Sequence, residues 1–323
     1  EPNKTRVIYR AQGYHGSTSD SLSIGDRPNL EIFRTFHPKN REKISEHNFI
    51  RHGQTDETIE EYGARSALEL EKKILELGPE NVASFVGETM LGGLVGDVPA
   101  APNYWTEVRK ICDRHRVHLI LDEVWCGTGT SGKFFCADWD NVTPDFLFMG
   151  KTLAAGYGAV SGILLKTERL KEIRSKYPSI PHSITHQGFS MGIAAAIATQ
   201  KFILSEGFID QVNRKGKILR KRLSKNLSCS KFLLDIRGRG LRNSLEYKCD
   251  QQHLFGITVA EVLKERHKII ISGKWHRLSF SPALTISDND ILFLADTFSD
   301  VFLEVERRWN DWDKTNIDSK SFF

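Results

Sequence analysis

A chain of 323 residues with 40% hydrophobic and 27% charged side chains can bury one large core or two ordinary ones, and its balance excludes a disordered or fibrous protein. The formal net charge of +4 comes from basic residues spread along the chain. The densest basic run, 214–225, lacks interleaved aromatic residues and reads as the solvated face of an amphipathic helix, with no nucleic-acid partner implied.

Five cysteines, an odd number with no CxxC pair, fit a reducing and cytoplasmic setting. No secretory signal is visible, and no apolar run approaches the ~20 residues of a membrane span. The chain starts without Met and reaches a strand pattern by residue 7, as though it begins inside a fold.

Val7, Ile8 and Tyr9 form the first strand pattern. Residues 57–77 then repeat apolar positions at helical spacing (Ala67, Leu68, Leu70, Ile74, Leu75) and stop at Gly78-Pro79. Strand patterns follow at 82–86, 117–121, 145–149 and 159–165, with a helix at 102–115 between the first two. That βαβ unit predicts parallel pairing with a right-handed crossover.

Helices are expected at 190–205 and 209–226. Beyond them the pattern changes to strands at 232–236, 242–247, 268–272 and 277–281, with helices near 256–265 and 288–309. The expectation is an α/β fold: a mostly parallel central sheet flanked by helices over 1–226, and a smaller α+β domain over 227–323.

In a parallel sheet, reactive groups gather past the carboxyl ends of the strands. Those positions hold Glu88, Asp122-Glu123 and Lys151, each after a strong apolar run. A lysine placed directly after Phe146-Leu147-Phe148-Met149-Gly150 is expected to be partly buried, which makes it a usable nucleophile toward a carbonyl. A Schiff-base lysine beside a carboxylate able to hold a ring nitrogen is the equipment pyridoxal phosphate requires. Spacing alone serves a structural ion pair between Asp122 and Lys151 equally well.

The stretch 119–165, LILDEVWCGTGTSGKFFCADWDNVTPDFLFMGKTLAAGYGAVSGILL, resembles the class III (ω-) aminotransferases. The shared features are Asp122-Glu123-Val124, a Gly-rich turn (Gly127, Gly129, Gly132), Pro144-Asp145 and Lys151. GYHGST at 13–18, GETMLGGLVGDVPAAPNYW at 87–105, THQGFSMGIAAAIA at 185–198, DIRGRGL at 235–241 and RLSFSPAL at 277–284 are similar to further segments of that family.

The resemblance implies a fold type I homodimer that uses pyridoxal 5'-phosphate. Lys151 would carry the cofactor as a Schiff base and move the substrate proton. Asp122 would hold the pyridine nitrogen, Tyr14 (with His15 beside it) and Val124 would enclose the ring, and Glu88 would orient the substrate. Thr185 would reach the cofactor phosphate of the partner subunit, and Arg277 would hold a substrate carboxylate.

The implied reaction passes an amino group from an amine or ω-amino acid to an oxo acid in ping-pong fashion. Mutase or lyase chemistry on the same fold, and a truncated non-catalytic homologue, are the alternatives. The family usually has roughly a hundred residues before the Tyr-His-Gly motif, including a Gly/Ser loop that binds the phosphate at a helix N-terminus. Such a loop does not precede Tyr14. Further departures are Thr89 where Pro often follows the glutamate, His186-Gln187 where Tyr and Ser are common, and Ser190 where Pro is usual.

Three other patterns compete. GTGTSG at 127–132 matches a dinucleotide-binding fingerprint but lacks the helix start and the later ribose-binding acid. His115 and His118 lack a third ligand for a metal, and none is expected. Arg237, Arg239 and Arg242 fit an anion site or an ordinary loop alike.

Overall fold

A computed structural model describes residues 3–27, 32–33, 37–180 and 182–312. Packing divides the chain into two units: Glu1–Leu94, Val98–Gly129 and Lys133–Phe208 in one, Val95–Asp97, Thr130–Gly132 and Ile209–Phe323 in the other.

The first unit runs β1 (Arg6–Arg10), α1 (Ser19–Ser23), β2 (Arg41–Ile44), α2 (Phe49–His52), α3 (Ile59–Leu77), β3 (Val82–Glu88), α4 (Tyr104–Arg114), β4 (His118–Asp122), β5 (Phe146–Met149), β6 (Gly162–Leu165), α5 (Thr167–Lys176) and α6 (Ser190–Ile203). Its six strands lie in the order β2-β1-β3-β4-β5-β6. All neighbours pair in parallel except β5 and β6, which are antiparallel. The sheet is therefore mostly parallel, as its apolar strands require when both faces are covered.

Helix α3 starts on a capping box: the Thr58 hydroxyl accepts from the Glu61 amide at 3.2 Å, and the Thr58 amide donates back to Glu61 at 2.8 Å. It stops at Gly78, whose φ of 81° suits a residue without a Cβ. The faces of α3 and α4 bury Leu70, Ile74, Trp105, Val108 and Ile111 against Ile8, Phe85, Leu119 and Leu121 of the strands.

The second unit holds α7 (Phe208–Asn226), β7 (Leu233–Arg239), β8 (Arg242–Tyr247), α8 (Gln252–His267), β9 (Ser272–Lys274), β10 (Arg277–Phe280) and α9 (Asp288–Arg308). The strands form an antiparallel sheet in the order β7-β8-β10-β9. Aromatic side chains from three elements fill its core: Tyr247, Phe255, Phe298 and Phe302 contact one another, Tyr247–Phe302 and Phe255–Phe302 edge-on and the other pairs tilted.

The strand expected at 268–272 is corrected. Lys268 caps α8 with a left-handed φ of 57°, which breaks extension, and β9 begins only at Ser272. The basic run 214–225 lies on α7, where Arg214 pairs with Asp288 at 2.7 Å near the surface and Arg222 with Asp296 at 2.6 Å in a part-buried position. No helix among the described residues is long and apolar enough to cross a membrane.

Candidate active site

Strands β3 and β4 pair with Glu88 directly opposite Asp122, and β4 continues into β5 through the pair Asp122 and Phe148. The three strands point the same way, so their ends deliver Glu88, Asp122 and the segment around Lys151 to one edge. Lys151 opens a single 3-10 turn, Lys151–Leu153, with a left-handed φ of 48°. That conformation is uncommon for a residue with a side chain and is concentrated at functional positions. Lys151 is exposed, which corrects the expected partial burial: the apolar run ends at Met149, and the left-handed step turns the next side chain off the packed sheet.

Asp122 is 5% exposed and bound on both oxygens. One accepts the Val124 amide at 2.9 Å, and the other lies 2.8 Å from Nδ1 of His15. An ionised carboxylate only accepts, so Nδ1 of His15 carries the proton. His15 is itself enclosed, with 1% of its side chain exposed, and its Nε2 is buried without a hydrogen-bond partner. This histidine follows Tyr14 on the loop after β1, so the arrangement needs β1 and β4 close in the same sheet.

Glu88 accepts the Tyr14 amide at 3.1 Å and the Gly92 amide at 2.7 Å. Burial raises its pKa above the usual carboxylate range. The charge of Asp122 adds to that push, and His15 opposes it. The hydroxyl of Tyr14 is 2.9 Å from Ser17 Oγ, and the Arg27 guanidinium lies 4.0 Å from its ring centroid. Val124 packs behind Gly150, where an added Cβ would fall 3.3 Å from Val124 Cγ1.

Thr185 is exposed on the turn leading to α6. Arg277, on β10 of the second unit, is 3% exposed and donates to Ser279 Oγ at 2.5 Å.

Two supporting residues went unassigned in the sequence. Glu123 is buried and accepts from Thr89 Oγ1 at 3.1 Å and from the amides of Cys136 and Ala137 at 2.7 Å each, closing the loop after β4. Burial pushes its carboxyl up to about 7. Arg10, 2% exposed, donates to the Glu88 carbonyl and lies 4.9 Å from the Trp105 ring centroid. An arginine inside an apolar strand was the only sequence signal for it.

The competing patterns resolve differently. No helix opens on the glycines of 127–132; the next regular element is a 3-10 turn at Cys136–Trp139, which removes the dinucleotide reading. His115 bonds Glu71 at 2.9 Å, and His118 stands edge-on to Phe146. Among the described residues, no group of three or more His, Cys, Asp or Glu is arranged for a metal ion. Arg237 is a structural residue of the second unit, paired with Glu246 at 2.6 Å and donating to the carbonyls of Val95 and Gly96.

The donor set suits pyridoxal phosphate. Each Asp122 oxygen makes one bond and can accept another, 6% of its side chain remains exposed, and a lysine amine stands at the adjoining strand end.

Comparison with known proteins gives the same class. Residues 1–302 match the family described as class-III aminotransferase. An aminotransferase of Gibberella zeae is 34% identical over 78% of this chain and 50% of its own length. Gamma aminobutyrate transaminase 3, chloroplastic, of Solanum lycopersicum is 34% identical over 76% of this chain and 48% of its own. A solved transaminase with L-alanine superposes with a TM-score of 0.88 at 27% identity, covering 96% of this chain and 75% of the other. The chain spans about half the length of these two relatives. With the profile matched over nearly its whole length, the chain belongs to the class III aminotransferases.

Proposed function

We propose that the chain carries the catalytic centre of a pyridoxal-phosphate-dependent aminotransferase, taking an amino group from an amine or ω-amino acid and giving it to an oxo acid. The observation that carries the reading is the junction of β3, β4 and β5, where Glu88, Asp122 and Lys151 stand at neighbouring strand ends. Bound there, the cofactor supplies an aldehyde that takes up the amino group and a protonated ring that draws electron density from the neighbouring carbon.

The residues divide the remaining work. Asp122 keeps the proton on the ring nitrogen, and its charge is held in place by His15 and the Val124 amide. Tyr14 and Val124 would enclose the cofactor ring. The amine of Lys151 moves the proton at the substrate carbon, acting in turn as base and acid. Glu88 orients the incoming substrate, and Arg277 is assigned to a substrate carboxylate.

We assign Thr185 to the cofactor phosphate of a second copy in a two-fold homodimer. Support for that assembly comes from the segment around Thr185 and the helix after it, where Ile184, Met191, Ile197 and Phe202 are all more than half exposed. Apolar side chains concentrated in this way mark interaction surfaces.

The test is to add pyridoxal phosphate, record the visible spectrum, reduce with borohydride and map the peptides. A pyridoxyl adduct on Lys151 is expected. A colourless protein with Lys151 unmodified overturns the reading for this chain. Amino transfer to an oxo acid, assayed next, separates a transaminase from a mutase or lyase.

A further inference from the structure

Trp125 stands next to the cofactor-site residues and has no role in the arrangement described so far. Its ring lies between the loop after β3 and Lys151. On one side it fills the space above Gly92, where an added Cβ would come within 2.5 Å of Trp125 Cδ1. On the other, the Lys151 ammonium lies 5.0 Å from its ring centroid. Trp125 is half-buried, whereas Lys151 is exposed on a left-handed backbone.

The backbone around the indole is pinned as well. The Val124 amide before it donates to Asp122, and the Gly92 amide beneath it donates to Glu88. The ring is thus tied to the same two carboxylates that define the site.

We infer that Trp125 is a positioning residue, a π-face that docks the Lys151 ammonium whenever that lysine is not joined to cofactor. The inference rests on the reading of Lys151 as the cofactor lysine. The ring quadrupole attracts a cation and has no comparable hold on a neutral amine. Docking is therefore selective for the protonated lysine: gaining a proton seats the side chain on the indole, and losing it to a base releases the amine. The proton goes to whichever group takes it, and no other bond changes. In an amino-transfer cycle the lysine is unlinked from its displacement by the first amine until the second half-reaction ends, and the indole holds it at the strand ends whenever it is protonated in that interval.

The experiment uses the cofactor-free protein. Acetic anhydride acylates neutral amines only, and peptide mass mapping reports Lys151 against the other lysines as internal standards. With Trp125→Leu, Lys151 is expected to label about two- to fivefold faster than in the wild type, and Trp125→Phe should restore most of the protection. Trp125→Gln serves the same comparison if the Leu variant does not fold.

Equal labelling of Lys151 in the wild type and W125L overturns the inference, as does W125F labelling as fast as W125L. The borohydride experiment on the wild type separates the two readings. An adduct on Lys151 with equal labelling overturns the docking role alone. No adduct on Lys151 overturns the cofactor reading and this inference with it.

Discussion

Nδ1 of His15 lies 2.8 Å from a carboxylate oxygen of Asp122, although 107 positions separate the two residues in the chain. The bond fixes the Asp122 carboxylate from one side, while the Val124 amide fixes it from the other. Replacing Asp122 removes the charge, whereas replacing His15 removes only one of its supports.

Asp122→Asn is therefore expected to lower amino-transfer turnover by on the order of 100-fold, as when a fixed electrostatic partner of a reacting group is lost. His15→Ala should cost less, roughly tenfold, comparable to one hydrogen bond to a charged group. Steady-state rates at saturating pyridoxal phosphate, with circular dichroism to confirm folding, check the order. A His15→Ala defect equal to that of Asp122→Asn would refute the division of roles.

Glu123 makes a prediction about stability and pH. Its folded carboxyl is pushed from 4.5 up to about 7 by burial. Between those values the folded state binds more protons than the unfolded one, so stability falls as pH rises through that window. At about 1.4 kcal/mol per pH unit, the whole change is roughly 3 kcal/mol. Glu123→Gln should abolish this slope, read as Tm between pH 4.5 and 7. An unchanged pH profile in the variant would exclude the buried carboxyl as its source.

His47 acts in the opposite direction. It sits between the rings of Tyr62 and Tyr104, and its Nε2 accepts the Ala101 amide at 2.8 Å, so it is held neutral. Burial first, and the charge of Arg10 second, push it down to about 3. The unfolded chain then binds the extra proton below about 6.5, and stability is lost as the pH falls through that value toward 3. His47→Phe should flatten this acid limb while costing about 1–3 kcal/mol at pH 7, because the hydrogen bonds to the Ala101 amide and to Ser66 are both lost. Because Glu123 and His47 oppose each other, Glu123→Gln alone should make the acid loss steeper than in the wild type.

Gly63 reverses a familiar preference. Alanine is favoured over glycine inside a helix by about 1 kcal/mol. Yet a Cβ on Gly63, within α3, would collide with the Pro102 carbonyl that leads into α4. Gly63→Ala is expected to destabilise the protein by about 1–3 kcal/mol, measured by urea unfolding. A stabilised variant would show that α3 and α4 can separate without cost.

Much of this protein was legible without coordinates. Apolar runs at 82–86, 117–121 and 145–149 announced their strands because a parallel strand covered on both faces is apolar along most of its length. The helical spacing over 57–77 and the stop at Gly78 marked α3 through purely local periodicity and backbone freedom. Strand β2 was missed because Arg-Glu-Lys-Ile has no apolar alternation, and it forms at the sheet edge, where one side has no neighbouring strand. Residues 268–272 misled because Ile269, Ile270 and Ile271 look like a strand, while the turn out of α8 takes its first residue into the left-handed region.

Local residue patterns are enough for the periodic elements, the strand ends that carry Glu88, Asp122 and Lys151, and the family pattern that orders them. Tertiary structure alone decided that β1 lies beside β3, which brings His15 to Asp122, and that Glu123 closes the loop beyond β4. It also decided that Lys151 leaves the packed sheet to rest near Trp125. The reason is range: periodicity and capping are written in residues three or four apart, whereas these contacts depend on strand order and register, which no local stretch of the chain contains.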